Sequence, residues 1–110
     1  MVIGESPLEE IVDSIVRQLN PERIYLFGSR AKGTMTSQSD FDLLIVRETT
    51  LLRHVRAAEV SRLFPDRRFS LDVIVDTPDE FERRKRIPNT IQRVVAEEGV
   101  LLYERSPERG

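Results

Sequence analysis

Two short apolar runs, each interrupted by an aspartate, constrain the fold of this chain more than any other feature. Phe41 to Val46 is apolar except for Asp42, and Phe69 to Val75 carries Asp72 among Leu, Val and Ile. Runs of this length suit strands covered on both faces and are too short for helices. A carboxylate in such a strand costs several kcal/mol unless it is hydrogen-bonded, paired with a cation or placed at a sheet edge. With Asp40 just before the first run, three acids need such a reason. Strand alternation puts Asp40 and Asp42 on one face, about 7 Å apart, and a neighbouring strand could set Asp72 beside them. Three converging carboxylates repel and raise at least one pKa unless divalent cations neutralise them. The chain has no Cys and one His, so it offers no Cys-based or multi-histidine zinc site. Magnesium suits the remaining, oxygen-only donor set.

The rest of the chain predicts helices and strands in turn. Ser6-Pro7 starts a helix with Glu9 and Glu10 in its first turn, and Leu8, Ile11, Val12, Ile15, Val16 and Leu19 form its apolar stripe up to Asn20-Pro21. Arg23 to Phe27 reads as a buried strand that stops at Gly28-Ser29. Arg30 to Ser39 reads as a short helical turn followed by an open loop. Leu51 to Leu63 follows as a helix, Thr77-Pro78 opens another, and Pro88 breaks or restarts it before Ile91, Val94 and Val95 continue to Gly99. Val100 to Tyr103 makes a last strand, and the polar tail 104–110 is expected to fray. The fold class is therefore α/β or α+β, a short mixed sheet packed against helices.

A length of 110 residues leaves room for one domain, expected over 1–110 with its core at about 8–103. With 39% hydrophobic and 33% charged residues it reads as a soluble domain, and no apolar run approaches membrane-spanning length, which makes the cytoplasm the expected location. The formal charge of −2 supplies no global field for nucleic acid, and exposed aromatics interleaved with basic residues are missing, so direct nucleic-acid binding is not expected. The basic quartet Arg83 to Arg86 reads as a solvated helix face or a partner contact.

Gly28 permits close backbone approach and positive φ, and the N–H groups of the following turn can cradle phosphate oxygens, with the Ser29 hydroxyl as a further donor. Arg30 and Lys32 place charge beside that turn, where they either touch phosphate or are simply solvated. Together with the strand acids, this is the arrangement that phosphoryl or nucleotidyl transfer needs, a triphosphate held by backbone and magnesium.

The run Leu26-Phe27-Gly28-Ser29-Arg30-Ala31-Lys32-Gly33, followed by Ser39-Asp40-Phe41-Asp42-Leu43, resembles the signature of the DNA polymerase beta-like nucleotidyltransferase superfamily. That signature is Gly-Ser, ten residues, then Asp-x-Asp, and Arg30 to Ser39 are the ten. Leu71-Asp72-Val73-Ile74-Val75 matches the later strand that carries the third carboxylate. By size the chain is similar to the minimal nucleotidyltransferases, partners of separately encoded helical HEPN proteins. Some such pairs are toxin-antitoxin systems in which the antitoxin is of the MntA type.

The resemblance implies the polymerase beta-like fold, with Asp40 and Asp42 as ligands of the magnesium that grips the triphosphate. Asp72 would complete a second metal position and help deprotonate the attacking hydroxyl, and Gly28 and Ser29 would hold the β- and γ-phosphates. It further implies ATP as donor, a tyrosine of a HEPN RNase toxin encoded nearby as acceptor, and a hetero-oligomer with that toxin, a homodimer also being open. A non-catalytic antitoxin acting by binding, and a transferase acting on RNA or a small molecule, remain alternatives.

Outside that set, Asp76 reads as a turn or helix-capping acid before Thr77-Pro78, and His54 as a surface or partner-facing residue. Tyr25 and the five Phe residues read as core, and Tyr103 as exposed.

Overall fold

The computed structural model describes residues 7–33, 40–67 and 69–106. Among the described residues five helices and four strands follow one another: α1 Pro7–Leu19, β1 Arg23–Phe27, α2 Ser29–Lys32, β2 Phe41–Val46, α3 Arg53–Ser61, β3 Leu71–Asp76, α4 Pro78–Arg84, α5 Ile91–Glu98 and β4 Val100–Glu104. The strands form one mixed sheet in the order β3-β2-β1-β4. β1 is antiparallel to both of its neighbours, whereas β2 and β3 run parallel, linked through α3. A parallel pair needs such a crossover, and the stretch from Arg47 to Ser70 provides it.

The period-two alternation of β2 divides the core between the two faces. Phe41, Leu43 and Ile45 turn one way, joining Ile24, Leu26 and Val75 beneath Ile11 and Ile15 of α1 and Val60 of α3. Leu44 and Val46 turn the other way, against Phe81 of α4 and Val95 of α5, with Tyr25, Phe27 and Ile74 packed around them. Five buried apolar side chains on one six-residue strand, Phe41 and four aliphatic ones, at about 1.5–3 kcal/mol each, make β2 the most heavily buried element. The acid at position 42 is the exception.

Several boundaries differ from those expected. α3 starts at Arg53, with Leu52 as its extended N-cap, and ends at Ser61. β3 starts at Leu71 and takes in Asp76, because parallel pairing continues as far as Val46↔Asp76. The segment around Pro88 separates α4 from α5, and Asn89 there has φ 69°. β4 extends to Glu104 opposite Arg23, and the Arg105 N–H donates to the Glu22 carbonyl at 2.8 Å, so the paired region runs past the expected end of the strand. The open loop expected within 30–39 lies outside the described residues from 34 onward, as do the last four residues of the tail.

Candidate functional site

β1 ends at Phe27, which stands in register with Asp42 of β2; Asp42 in turn stands in register with Asp72 of β3. Both acids face the same side of the sheet as Leu44 and Ile74, the α4/α5 side, so the two side chains are direct cross-strand neighbours. Asp40 lies exposed just ahead of β2. Asp42 is pushed above the usual carboxylate range, first by burial and then by the negative charges of Asp72 and Asp40. The structure thus brings the three strand acids within electrostatic reach of one another.

Gly28 closes the site from the β1 side. Its φ is 79°, and a Cβ at this position would land on the Asp42 carboxylate, with Cγ at 3.1 Å. A side chain here would therefore collide with Asp42, and the left-handed φ adds strain for any L-residue. The Gly28 carbonyl accepts from Ala31 N at 3.1 Å and Lys32 N at 3.2 Å, which folds Ser29–Lys32 into a single tight turn capped by Gly33. Ser29 accordingly starts its turn directly beside Asp42.

The two basic residues of this turn diverge from the acids. Arg30 lies over the Phe41 ring, 3.9 Å from its centroid, and Phe41 faces the opposite side of β2 from Asp42. Lys32 is exposed, with its Nζ 3.7 Å from Glu98 of α5.

A second charged assembly, which the sequence reading missed, lies farther along the same face. Asp76 is completely buried and accepts from Arg53 Nη2 at 2.8 Å and Gln92 Nε2 at 2.9 Å. It is not the cap expected, because Thr77 caps α4 in a reciprocal box with Glu80. Arg56, also buried, donates to both Glu80 oxygens, at 2.6 and 3.2 Å, and to the Val75 and Leu51 carbonyls. These contacts hold Glu80 down at about pKa 2, the Arg56 hydrogen bond being the main cause. The available sequence signals were Asp76 in an apolar strand and the Thr77-Pro78-Asp79-Glu80 start of α4. Their shared partner Arg53, more than twenty residues earlier, could not be paired with them before β3 was placed.

His54 is exposed. Tyr25 stacks on Phe81 at 5.5 Å, while Tyr103 is half-buried against α1 rather than exposed. Of the basic quartet, Arg83, bonded to Asp79, and Arg86 are exposed, whereas Lys85 is half-buried beside Glu82 and Arg84 is half-buried with its Nε enclosed, so the quartet is a solvated face only in part.

The site can be tested for its fit to a divalent cation on the chemistry of its donors. All are carboxylate oxygens, and Asp42 bears a like-charge load that a cation would relieve. Among the described residues no three acidic or histidine side chains close on one point. An ion here would complete its shell with phosphate oxygens and water, the habit of magnesium. The residues fit that ion.

The family model for polymerase beta nucleotidyltransferases matches residues 9–108. This chain belongs to that family. Among solved structures, a candidate nucleotidyltransferase from Sulfolobus solfataricus is 29% identical, with a TM-score of 0.61 over 87% of this chain and 76% of that one. A toxin-antitoxin with AMP-PNP superimposes with a TM-score of 0.60 at 23% identity, over 87% of this chain and 73% of that one. A mutant of the toxin-antitoxin MntA-HpeT gives 0.63 at 20% identity, over 92% and 75%. At these two lower identities the likeness shows the fold. No curated protein matches. The chain is a nucleotidyltransferase-type domain with the polymerase beta-like fold, and among its described residues no helix is long and apolar enough to cross a membrane.

Proposed function

We propose that this protein is a magnesium-dependent nucleotidyltransferase that moves AMP from ATP onto a tyrosine hydroxyl of a HEPN-family toxin, and so acts as an antitoxin. The observation that carries the reading is the cross-strand pair Asp42/Asp72 with Gly28 closed against it. Family membership supports nucleotidyl transfer. The toxin-antitoxin neighbours, one of them with AMP-PNP, support the donor and the kind of partner.

In this reading Asp40 and Asp42 would hold magnesium, and Asp72 would help to hold a second ion. The ions supply charge neutralisation and a more acidic acceptor hydroxyl. Gly28 and Ser29 receive the β- and γ-phosphates. Lys32 can turn toward them, since its exposed pair with Glu98 is worth little. Arg30 is the less suitably placed of the two because it rests on Phe41. The acceptor oxygen attacks the α-phosphorus, the bond to the leaving pyrophosphate breaks, and the hydroxyl proton passes toward Asp72.

The test incubates the protein and the helical protein encoded beside it with labelled ATP and magnesium. The expected result is label, and a mass gain of one AMP, on a tyrosine of the partner, lost with Asp40→Ala/Asp42→Ala. Neutralisation by the double variant without label transfer would overturn the enzymatic reading in favour of binding alone.

A further inference from the structure

β3 is the outer strand of the sheet, and among the described residues no strand pairs with its free edge. Phe41 N donates to the Ser70 carbonyl and Arg47 N to the Asp76 carbonyl, so even-numbered positions of this strand face β2. By the alternation of a parallel ladder, Leu71, Val73 and Val75 direct their N–H and C=O groups outward. The Arg56 bond to the Val75 carbonyl agrees with that direction.

A cavity of about 340 Å³ runs along this edge, between α3 on one side and the end of α4 and start of α5 on the other. Val73, Val75, Arg53, Arg84, Ile91 and Gln92 contribute to its lining. The charges around it do not balance. Arg53 and Arg56 are matched by Asp76 and Glu80. Arg84 has no acidic partner among the described residues, and its buried Nε makes no hydrogen bond. Its guanidinium therefore brings an unmatched positive charge to the cleft, which a carboxylate would neutralise.

The opposite ends of the site differ in what they offer. Gly28 occupies the β1 side of Asp42, whereas Asp72 lies on the β3 side, the side of the open edge. With the donor phosphates at Gly28, as proposed above, the β3 side is left for the acceptor.

We propose that the cleft along the free edge of β3 is the acceptor-docking site, and that it takes an extended, acidic peptide segment whose carboxylate meets Arg84 and whose hydroxyl-bearing residue reaches Asp72. This rests on the transfer reading above and names the surface by which that site selects its protein substrate. The Val75 carbonyl is taken by Arg56, so the outward groups of Leu71 and Val73 and the Val75 N–H bind an extended backbone by strand addition, Ile91 offers an apolar contact, and Arg84 selects negative charge. At about 3.3 Å per residue, Val75 and Asp72 are roughly 10 Å apart along the strand. Arg84 shares the cleft with residues 73–75, so the acidic residue should stand within about three positions of the hydroxyl.

The test is a titration of the ¹⁵N-labelled full chain with a tyrosine peptide carrying glutamates at that spacing, with the same peptide carrying lysines, and with a short single-stranded RNA. The acidic peptide is expected to shift the Val73 and Val75 amides and the Arg84 Nε–H signal, and to bind at least about tenfold more tightly than the lysine peptide, a difference of about 1.4 kcal/mol. Arg84→Glu should reverse that preference and Arg84→Lys should retain most of it. Arg84→Gln, which removes the charge without reversing it, serves if Arg84→Glu fails to fold. Shifts confined elsewhere, equal affinity for both peptides, or RNA displacing the acidic peptide from these signals would overturn the proposal. No ATP or metal is present in this titration, so failure of label transfer counts against the transfer reading alone, and transfer without these shifts counts against the docking site alone.

Discussion

Asp42 is surrounded by groups that make its negative charge expensive, and this sets what single substitutions should do. Gly28→Ala places a methyl group on the carboxylate at a φ of 79°. The backbone strain alone is worth about 1–3 kcal/mol, and relief requires Asp42 to leave its position. We expect a lower melting temperature together with loss of transfer, read by calorimetry and by the labelling assay. Asp42→Asn should lower transfer by several kcal/mol of transition-state stabilisation, on the order of a thousandfold. Because its folded pKa is raised, ionised Asp42 weakens the metal-free fold as pH rises through the interval between 3.8 and the raised value. Asp72→Asn removes one repelling charge. It should bring the Asp42 titration, followed by carboxyl ¹³C shifts, back toward the ordinary range and slightly raise the melting temperature of the metal-free protein while abolishing transfer. An unchanged Asp42 titration would show that the two side chains are not coupled. The three acids were legible in the sequence because a carboxylate inside an apolar strand has few explanations. The paths of Arg30 and Lys32 were not, since a four-residue turn projects successive side chains in different directions and only the placed sheet shows where each one ends.

At the scale of elements, α3, β3 and α4 are joined by one charged assembly. Arg56 uses its guanidinium on Glu80 and two carbonyls, and Glu80 also accepts from Thr77 N at the start of α4. Glu80→Gln would leave Arg56 buried without its counter-charge, at a cost of about 3 kcal/mol, measurable by urea unfolding at neutral pH. The pH dependence has a definite sign. Glu80 titrates at about 2 in the folded state against 4.5 ordinarily, so its contribution is complete above 4.5 and is lost as pH falls from there toward 2. The wild type should lose stability over that window, and Glu80→Gln should lose less. Helix and strand order was readable from apolar periodicity and from Pro and Gly, because those signals are local. Asp76 as a buried hydrogen-bond acceptor was not readable, because its partners lie on two helices separated from it by 23 and 16 residues.

For the molecule as a whole, the sheet supports two cores of unequal chemistry. The α1/α3 face has an apolar cluster around Ile11, Ile15 and Leu43, whereas the α4/α5 face has Leu44, Val46, Phe81 and Val95 in the middle and the acids Asp42, Asp72 and Asp76 beyond them. Leu43→Ala should cost about 2–5 kcal/mol in unfolding free energy without shifting the Asp42 titration, which separates damage to the fold from damage to the site. β1 lies inside the sheet, but its two neighbours come from different stages of the chain: β2 begins some fourteen residues after β1 ends, and β4 begins only at Val100. A ribosome has thus made most of the protein before β1 gains its second neighbour, and until then the strand leading into Gly28 is an open edge liable to pair with other chains. The contact of longest reach closes last. A chain stopped after Gly99 would carry every catalytic candidate and still be prone to aggregate, so activity should appear only after residues 100–104 have emerged from the ribosome, a delay that arrested nascent chains of graded length would display.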